Sequence, residues 1–246
     1  MAVWSRRLLA ALALVTAGCG ARGTPPPTTP QFAPQAAEED QALAPSKAVR
    51  WVRDSAEHRA LFLQVYRSAI AYIETQATTR EIGTWAVVVD ADETLLDNSL
   101  YQVERERLGQ GFTAESWKAW TKRREAVPFP GARSFLERVR ELGGRIAVVT
   151  NRREAECPDT RAVFDAQGLL YDLMLCRPDN GPSDKTSRFQ AVRGGTTSSG
   201  LPPLEVVAFL GDSIRDFPEE ESGEPVSESF PGPFFIVPNP MYGGWE

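Results

Sequence analysis

The sequence predicts an α/β fold in which a parallel sheet is flanked by helices. Short, continuous, largely β-branched runs such as Trp85-Ala86-Val87-Val88-Val89 and Arg145-Ile146-Ala147-Val148-Val149-Thr150 read as strands buried on both faces. Between such runs lie segments whose apolar residues recur at helical spacing and which end at glycines. Strand–helix alternation of this kind builds parallel sheets that bind ligands beyond the carboxyl ends of their strands. With 246 residues, 42% of them hydrophobic and 24% charged, the chain can build one domain with a real core.

The elements follow in order. Arg6 and Arg7 lead into an apolar run from Leu8 to Ala17, closed by Gly18 and Cys19, which has the form of a signal peptide over residues 1–18. A run that short does not reach the ~20 residues a permanent span needs. Its Ala-Gly-Cys end resembles the lipobox of bacterial lipoproteins, where the cysteine is acylated and becomes the new N-terminus; the alternative is a plain secretory signal cut nearby. Either route exports the protein. Residues 19–45, with Pro25-Pro26-Pro27-Thr28-Thr29-Pro30, cannot pack a core and read as a semi-rigid tether.

The folded domain, residues 46–246, begins at a helix capped by Ser46. Val49, Trp51, Val52, Ala56, Leu61, Val65, Tyr66, Ala69, Ile70 and Ile73 continue it to about Thr78, as one long helix or two in tandem. The strand Trp85–Val89 ends at Asp90. A helix with Phe135, Leu136, Val139 and Leu142 on its apolar face stops at Gly143-Gly144, before the strand Arg145–Thr150. A helix near 159–167 stopped by Gly168, a strand 171–176, a helix near 184–192, a strand 205–210 and the run Phe234-Phe235-Ile236-Val237 complete the pattern. The Gly/Ser-rich stretch 194–200 reads as a surface insertion.

Charge and composition narrow the chemistry. A net charge of -6 with no basic stripe excludes a nucleic-acid polymer as partner. The single histidine, His58, excludes multi-histidine metal sites and reads as an exposed helical residue. Cys157 and Cys176 can pair in an exported protein or stand as separate thiols, and their spacing fits no metal motif.

Carboxylates remain. Asp90-Ala91-Asp92-Glu93-Thr94 ends the first strand, Thr150-Asn151-Arg152 the second, and Gly211-Asp212-Ser213-Ile214-Arg215-Asp216 the fourth. Each acidic pair alone would read as a turn or helix cap. Converging on one sheet edge, they repel unless a cation neutralises them, and oxygen ligands without sulfur or imidazole select magnesium or calcium. Lys185 adds a positive charge for a phosphate. Glu93 points away from the site if the backbone stays extended.

These clusters look like the four motifs of haloacid-dehalogenase-type (HAD) phosphohydrolases. Trp51 with Ser55-Ala56-Glu57, Leu96-Asp97-Asn98-Ser99, Trp117 with Trp120, Val127-Pro128-Phe129-Pro130-Gly131-Ala132 and the ending from Pro238 to Glu246 are similar to the class C acid phosphatases, which are bacterial surface lipoproteins. The resemblance implies a Rossmann-like sheet of HAD type with a small, mainly helical cap region over about 97–130.

It also implies a mechanism. Asp90 would be the nucleophile that forms an aspartyl-phosphate, and Asp92 the acid and base. Mg2+ would be held by Asp90, the Asp92 carbonyl, Asp212 and Asp216, while Thr150 and Lys185, with Asn151 beside them, hold the phosphate. Trp117 and Tyr242 match the aromatic pair that the family sets around a nucleobase; the alternative for Trp117 and Trp120 is the buried face of a cap helix, which Trp120 fits better. The reading is a magnesium-dependent 5'-nucleotidase or acid phosphatase acting on nucleoside monophosphates, lipid-anchored through Cys19 to the bacterial envelope, the outer membrane being the expected one, with oligomerisation left open. A phosphomonoesterase or phosphotransferase without nucleotide preference is the alternative, and a non-catalytic surface lipoprotein the third.

Overall fold

A computed structural model describes residues 44–218 and 232–244, so the signal peptide, Cys19 and most of the tether lie outside the described residues. Ser46 caps helix α1 (Lys47–Asp54), its side chain accepting from the Val49 N–H. Ser55 ends α1 and caps α2 (Ala56–Ala77), so the predicted helical stretch is two in tandem. Phe62, Tyr66, Ala69 and Ile73 form one buried stripe along α2, the periodicity that the sequence displays. His58 departs from expectation. It is buried, 3% exposed, with its ring packed among Trp51, Phe62 and Phe129. Two helices meeting at Ser55 turn that position inward, which the helical pattern of α2 alone does not reveal.

Strand β1 (Trp85–Val89) is buried along its whole length. The chain then makes an excursion through β2 (Leu96–Asp97), α3 (Ser99–Arg107), α4 (Ala114–Arg123) and β3 (Val127–Pro128). The antiparallel pairs Leu96–Pro128 and Asp97–Val127 close its base. Helix α5 (Ala132–Glu141), β4 (Arg145–Arg153), a short 3₁₀ turn, α6 (Cys157–Gln167), β5 (Leu173–Arg177), α7 (Thr186–Gly194), β6 (Glu205–Gly211) and β7 (Phe234–Ile236) complete the fold. Gly168 ends α6 with φ 63°, a left-handed turn that glycine adopts without steric cost. Cys157 and Cys176 are joined in a disulfide with Cα atoms 6.1 Å apart, tying the start of α6 to β5.

The sheet order is β5-β4-β1-β6-β7, with every pair parallel. Because side chains alternate across a strand, β1 feeds two cores. Trp85, Val87 and Val89 pack with α2, α5 and α6, whereas Ala86 and Val88 pack with Phe189 and Val192 of α7 and with Phe209 and Phe234. The chain passes from β1 outward through β4 and β5, then returns to β6 on the other side of β1. That reversal sets the carboxyl ends of β4, β1 and β6 side by side.

Candidate active site

Asp90 directly follows β1, and its backbone N–H bonds the Leu210 carbonyl of β6 at 2.9 Å. This places it beside Asp212, which follows the last residue of β6. Lys185, buried immediately before α7, donates from Nζ to Asp90 Oδ1 at 2.5 Å and stands 2.6 Å from Asp216 Oδ1. Asp216 also accepts the Ser213 N–H on Oδ2 at 3.0 Å. A Cβ at position 211 would collide with the Asp216 side chain, so the close approach of that carboxylate requires Gly211. Asp212 takes the Asn239 amide on Oδ2 at 2.8 Å and faces Thr94 Oγ1 at 3.5 Å. One oxygen from each of Asp90, Asp212 and Asp216 lies within 4.8 Å of the others.

The electrostatics of this cluster are stressed. Burial raises the Asp90 carboxyl, Lys185 pulls it down, and Asp216 and Asp92 raise it again, leaving it pushed up to about 7. Burial, Asp216 and Asp90 hold the Asp212 carboxyl well above the usual range. Burial opposes the Lys185 charge, but Asp216 and Asp90 outweigh it and keep the ammonium protonated. Fully ionised, three carboxylates facing one ammonium would leave an excess of two negative charges, which one hard divalent cation would balance. An oxygen-only donor set suits such an ion.

Asp92 lies outside that cluster. Its carboxylate is forked by Arg152, with Nη2 to Oδ1 at 2.7 Å and Nε at 3.0 and 3.1 Å from Oδ1 and Oδ2, and Asn98 Nδ2 donates to Oδ1 at 2.8 Å. Thr150 on β4 is fully buried, its Oγ1 accepting the Arg152 N–H at 3.1 Å. Asn151 is exposed at the rim, and its Oδ1 accepts from Arg188 Nη2 at 2.8 Å. Arg188 also grips the Thr150 carbonyl and so fixes the end of β4.

Trp117 on α4 is half-buried, edge-on to Tyr101 at 5.1 Å, and the Arg152 guanidinium sits over its ring at 5.5 Å. Trp120 is buried, as the cap-helix reading expects, and its indole N–H bonds Asn98 Oδ1 at 2.8 Å. Tyr242 is half-buried in the tail after β7, three residues beyond the Asn239 that holds Asp212.

The extended backbone expected at Glu93 is not what forms. Glu93 has φ 52°, and its side chain is buried with Oε1 accepting the Asn98 N–H at 3.0 Å. The tight turn after Asp92, closed by the Glu93 N–H on the Leu96 carbonyl, brings the carboxyl back under the site.

Sequence reasoning assigned no role to Arg152, Arg188, Asn98 or Asn239. Signals existed for two of them. Arg152 stands two residues beyond Thr150 on the same strand and therefore shares its face, and Arg188 lies three residues after Lys185, one helical turn on. Asn98 and Asn239 reach the site through turns, which no periodicity marks.

A family model for the HAD superfamily, subfamily IIIB (acid phosphatase), matches residues 29–245. The chain belongs to that family. It is an acid phosphatase, a hydrolase of phosphomonoesters. Among solved structures the phosphatase is similar to the class C acid phosphatase from Bacillus anthracis, at 27% identity with a TM-score of 0.70, over 84% of this chain and 86% of that one. The same enzyme with tungstate bound matches equally well. Phosphatases of this superfamily typically use a divalent metal, and the aspartate cluster offers a place for one.

Proposed function

We propose that this phosphatase is a Mg2+-dependent 5'-nucleotidase, acting on nucleoside monophosphates ahead of other phosphomonoesters through an aspartyl-phosphate on Asp90. The observation that carries this reading is the cluster of Asp90, Asp212 and Asp216 around Lys185 at the ends of β1 and β6. Asp90, the Asp92 carbonyl, Asp212 and Asp216 would hold the ion. Bound there, Mg2+ offsets the repulsion between carboxylates and the phosphate dianion.

Asp90 is fixed by Lys185 at Oδ1, which sets the direction its carboxylate faces. It bonds to phosphorus as the ester P–O bond breaks, and Asp92 gives its proton to the departing oxygen. Asp92 then takes a proton from the water that attacks the aspartyl-phosphate, so phosphate leaves and both carboxyls return to their starting forms. The Thr150 hydroxyl, the Asn151 amide and the remaining Lys185 proton would hold the phosphoryl oxygens.

Trp117 and Tyr242 are assigned to the nucleobase. One observation favours a second reading without base preference: Arg152 already covers part of the Trp117 ring. The assay is phosphate release from AMP, nicotinamide mononucleotide and a sugar phosphate, each with Mg2+ or with chelator. Mg2+-dependent turnover that favours the nucleotides supports the proposal, equal rates select the second reading, and turnover unaffected by chelator overturns the metal assignment.

The signal at 1–18 and the tether at 19–45 support export and a lipid anchor at Cys19 on the bacterial envelope. Mass spectrometry of the mature N-terminus decides this. An unmodified terminus elsewhere would refute the anchor.

A further inference from the structure

Asp92 differs from the other three site aspartates in its partners. Its side chain is 18% exposed, against 8% for Asp90, while the guanidinium that holds it is 1% exposed. The two oxygens are used unequally. Oδ1 accepts from Arg152 Nη2, Arg152 Nε and Asn98 Nδ2, whereas among the described residues Oδ2 accepts only the shared Nε at 3.1 Å.

Asn98 cannot turn its amide over. An indole N–H only donates, so Trp120 Nε1 at 2.8 Å requires Asn98 Oδ1 on its side, and Arg152 Nη2 at 3.2 Å requires the same. The amide N–H2 must then face Asp92. The Asn98 backbone is held as well, by Glu93 Oε1. Arg152 is locked in turn: Nη1 reaches Thr160 Oγ1 on α6 at 3.3 Å, and the Trp117 ring covers the guanidinium. Cap helix, turn and β4 therefore converge on one carboxylate oxygen.

A loose Asp92, two residues from Asp90, would be drawn toward any cation that Asp90, Asp212 and Asp216 hold. The fork prevents that. We propose that Arg152 and Asn98 are positioning residues that tie down Asp92 Oδ1 and present Oδ2 for proton exchange with the leaving-group oxygen. The proposal rests on the reading of Asp92 as acid and base.

A positioning defect at the proton donor shows in the leaving group. An aryl ester departs without much help from an acid, while an alkyl ester depends on it. The test compares kcat/KM, which reports only the steps up to formation of the aspartyl-phosphate and departure of the leaving group, on p-nitrophenyl phosphate and glycerol phosphate, with Mg2+, for Arg152→Lys, Trp120→Phe and Asp92→Asn. Lysine keeps the charge but loses the fork, and phenylalanine keeps the ring but loses the N–H that orients Asn98.

Arg152→Lys should lower kcat/KM on glycerol phosphate at least tenfold more than on the aryl ester; Trp120→Phe should do the same more weakly. Equal losses on both esters, or none, in variants with native circular dichroism would overturn the clamp. Asp92→Asn separates the two readings. If it is selective for the alkyl ester and Arg152→Lys is not, only the clamp falls. If Asp92→Asn affects both esters alike, the role of Asp92 falls and the clamp with it.

Discussion

In the cation-free protein Asp90 should weaken the fold as the pH rises, and Asp90→Asn should remove that effect. The buried carboxyl, held at about 7, keeps a proton that the unfolded chain, with an Asp pKa of about 3.9, has already released. Stability from a group raised in this way is fully present below the unfolded pKa and lost as the pH climbs through the folded one. At about 1.4 kcal/mol per pH unit over roughly three units, the loss approaches about 4 kcal/mol. That is a large part of the roughly 5–15 kcal/mol that holds a domain together.

Asparagine copies the neutral carboxyl. The stability of Asp90→Asn relative to wild type should therefore grow between about pH 4 and 7 and level off above. Urea unfolding followed by tryptophan fluorescence, with chelator across this range, measures it. Saturating Mg2+ favours the ionised Asp90 and should close most of the gap, because a ligand of the native state adds to its stability. A difference that stays flat with pH in chelator would refute the charge stress at Asp90. A gap that Mg2+ leaves unchanged would refute the placement of the cation.

Three further outcomes follow from packing and linkage. Gly211→Ala drives a methyl into Asp216, so it should cost about 1–3 kcal/mol as overpacking and weaken Mg2+ binding in calorimetric titration; wild-type affinity would contradict the close approach. Burial lowers the His58 pKa against the opposing pull of Asp97 and the Pro238 carbonyl, so the neutral ring is the native form. Wild type should then lose stability relative to His58→Phe as the pH falls below about 6.5, and parallel curves would contradict this. The Cys157–Cys176 bridge closes a loop of 19 residues, and its reduction should cost about 3 kcal/mol, with no free thiol at either position in the unfolded, unreduced protein; two titratable thiols there would dispose of the bridge.

Much of the fold was legible because it depends on local periodicity. The short, β-branched, all-apolar run at Trp85–Val89 reads as a strand covered on both sides, and the stripe on α2 reads as a helix face. The strand ends carry Asp90, Thr150 and Asp212 in the order that a parallel sheet brings together, so the acidic cluster is legible from the residues alone. Lys185 was readable for the same reason, since it stands where a loop re-enters the sheet edge.

What the sequence determined, then, was which residues lie at the carboxyl ends of which strands, because strand period and helix period fix that locally. What only the tertiary structure decided was which partner each charged group meets. Asp92 faces Arg152 from 60 residues away and Asp212 faces Asn239 from 27. The left-handed turn at Glu93, the inward face of His58 and the indole that orients Asn98 depend on close contacts between separate segments. Hydrogen-bond geometry is set within a few tenths of an ångström by packing, and no residue pattern along the chain encodes that.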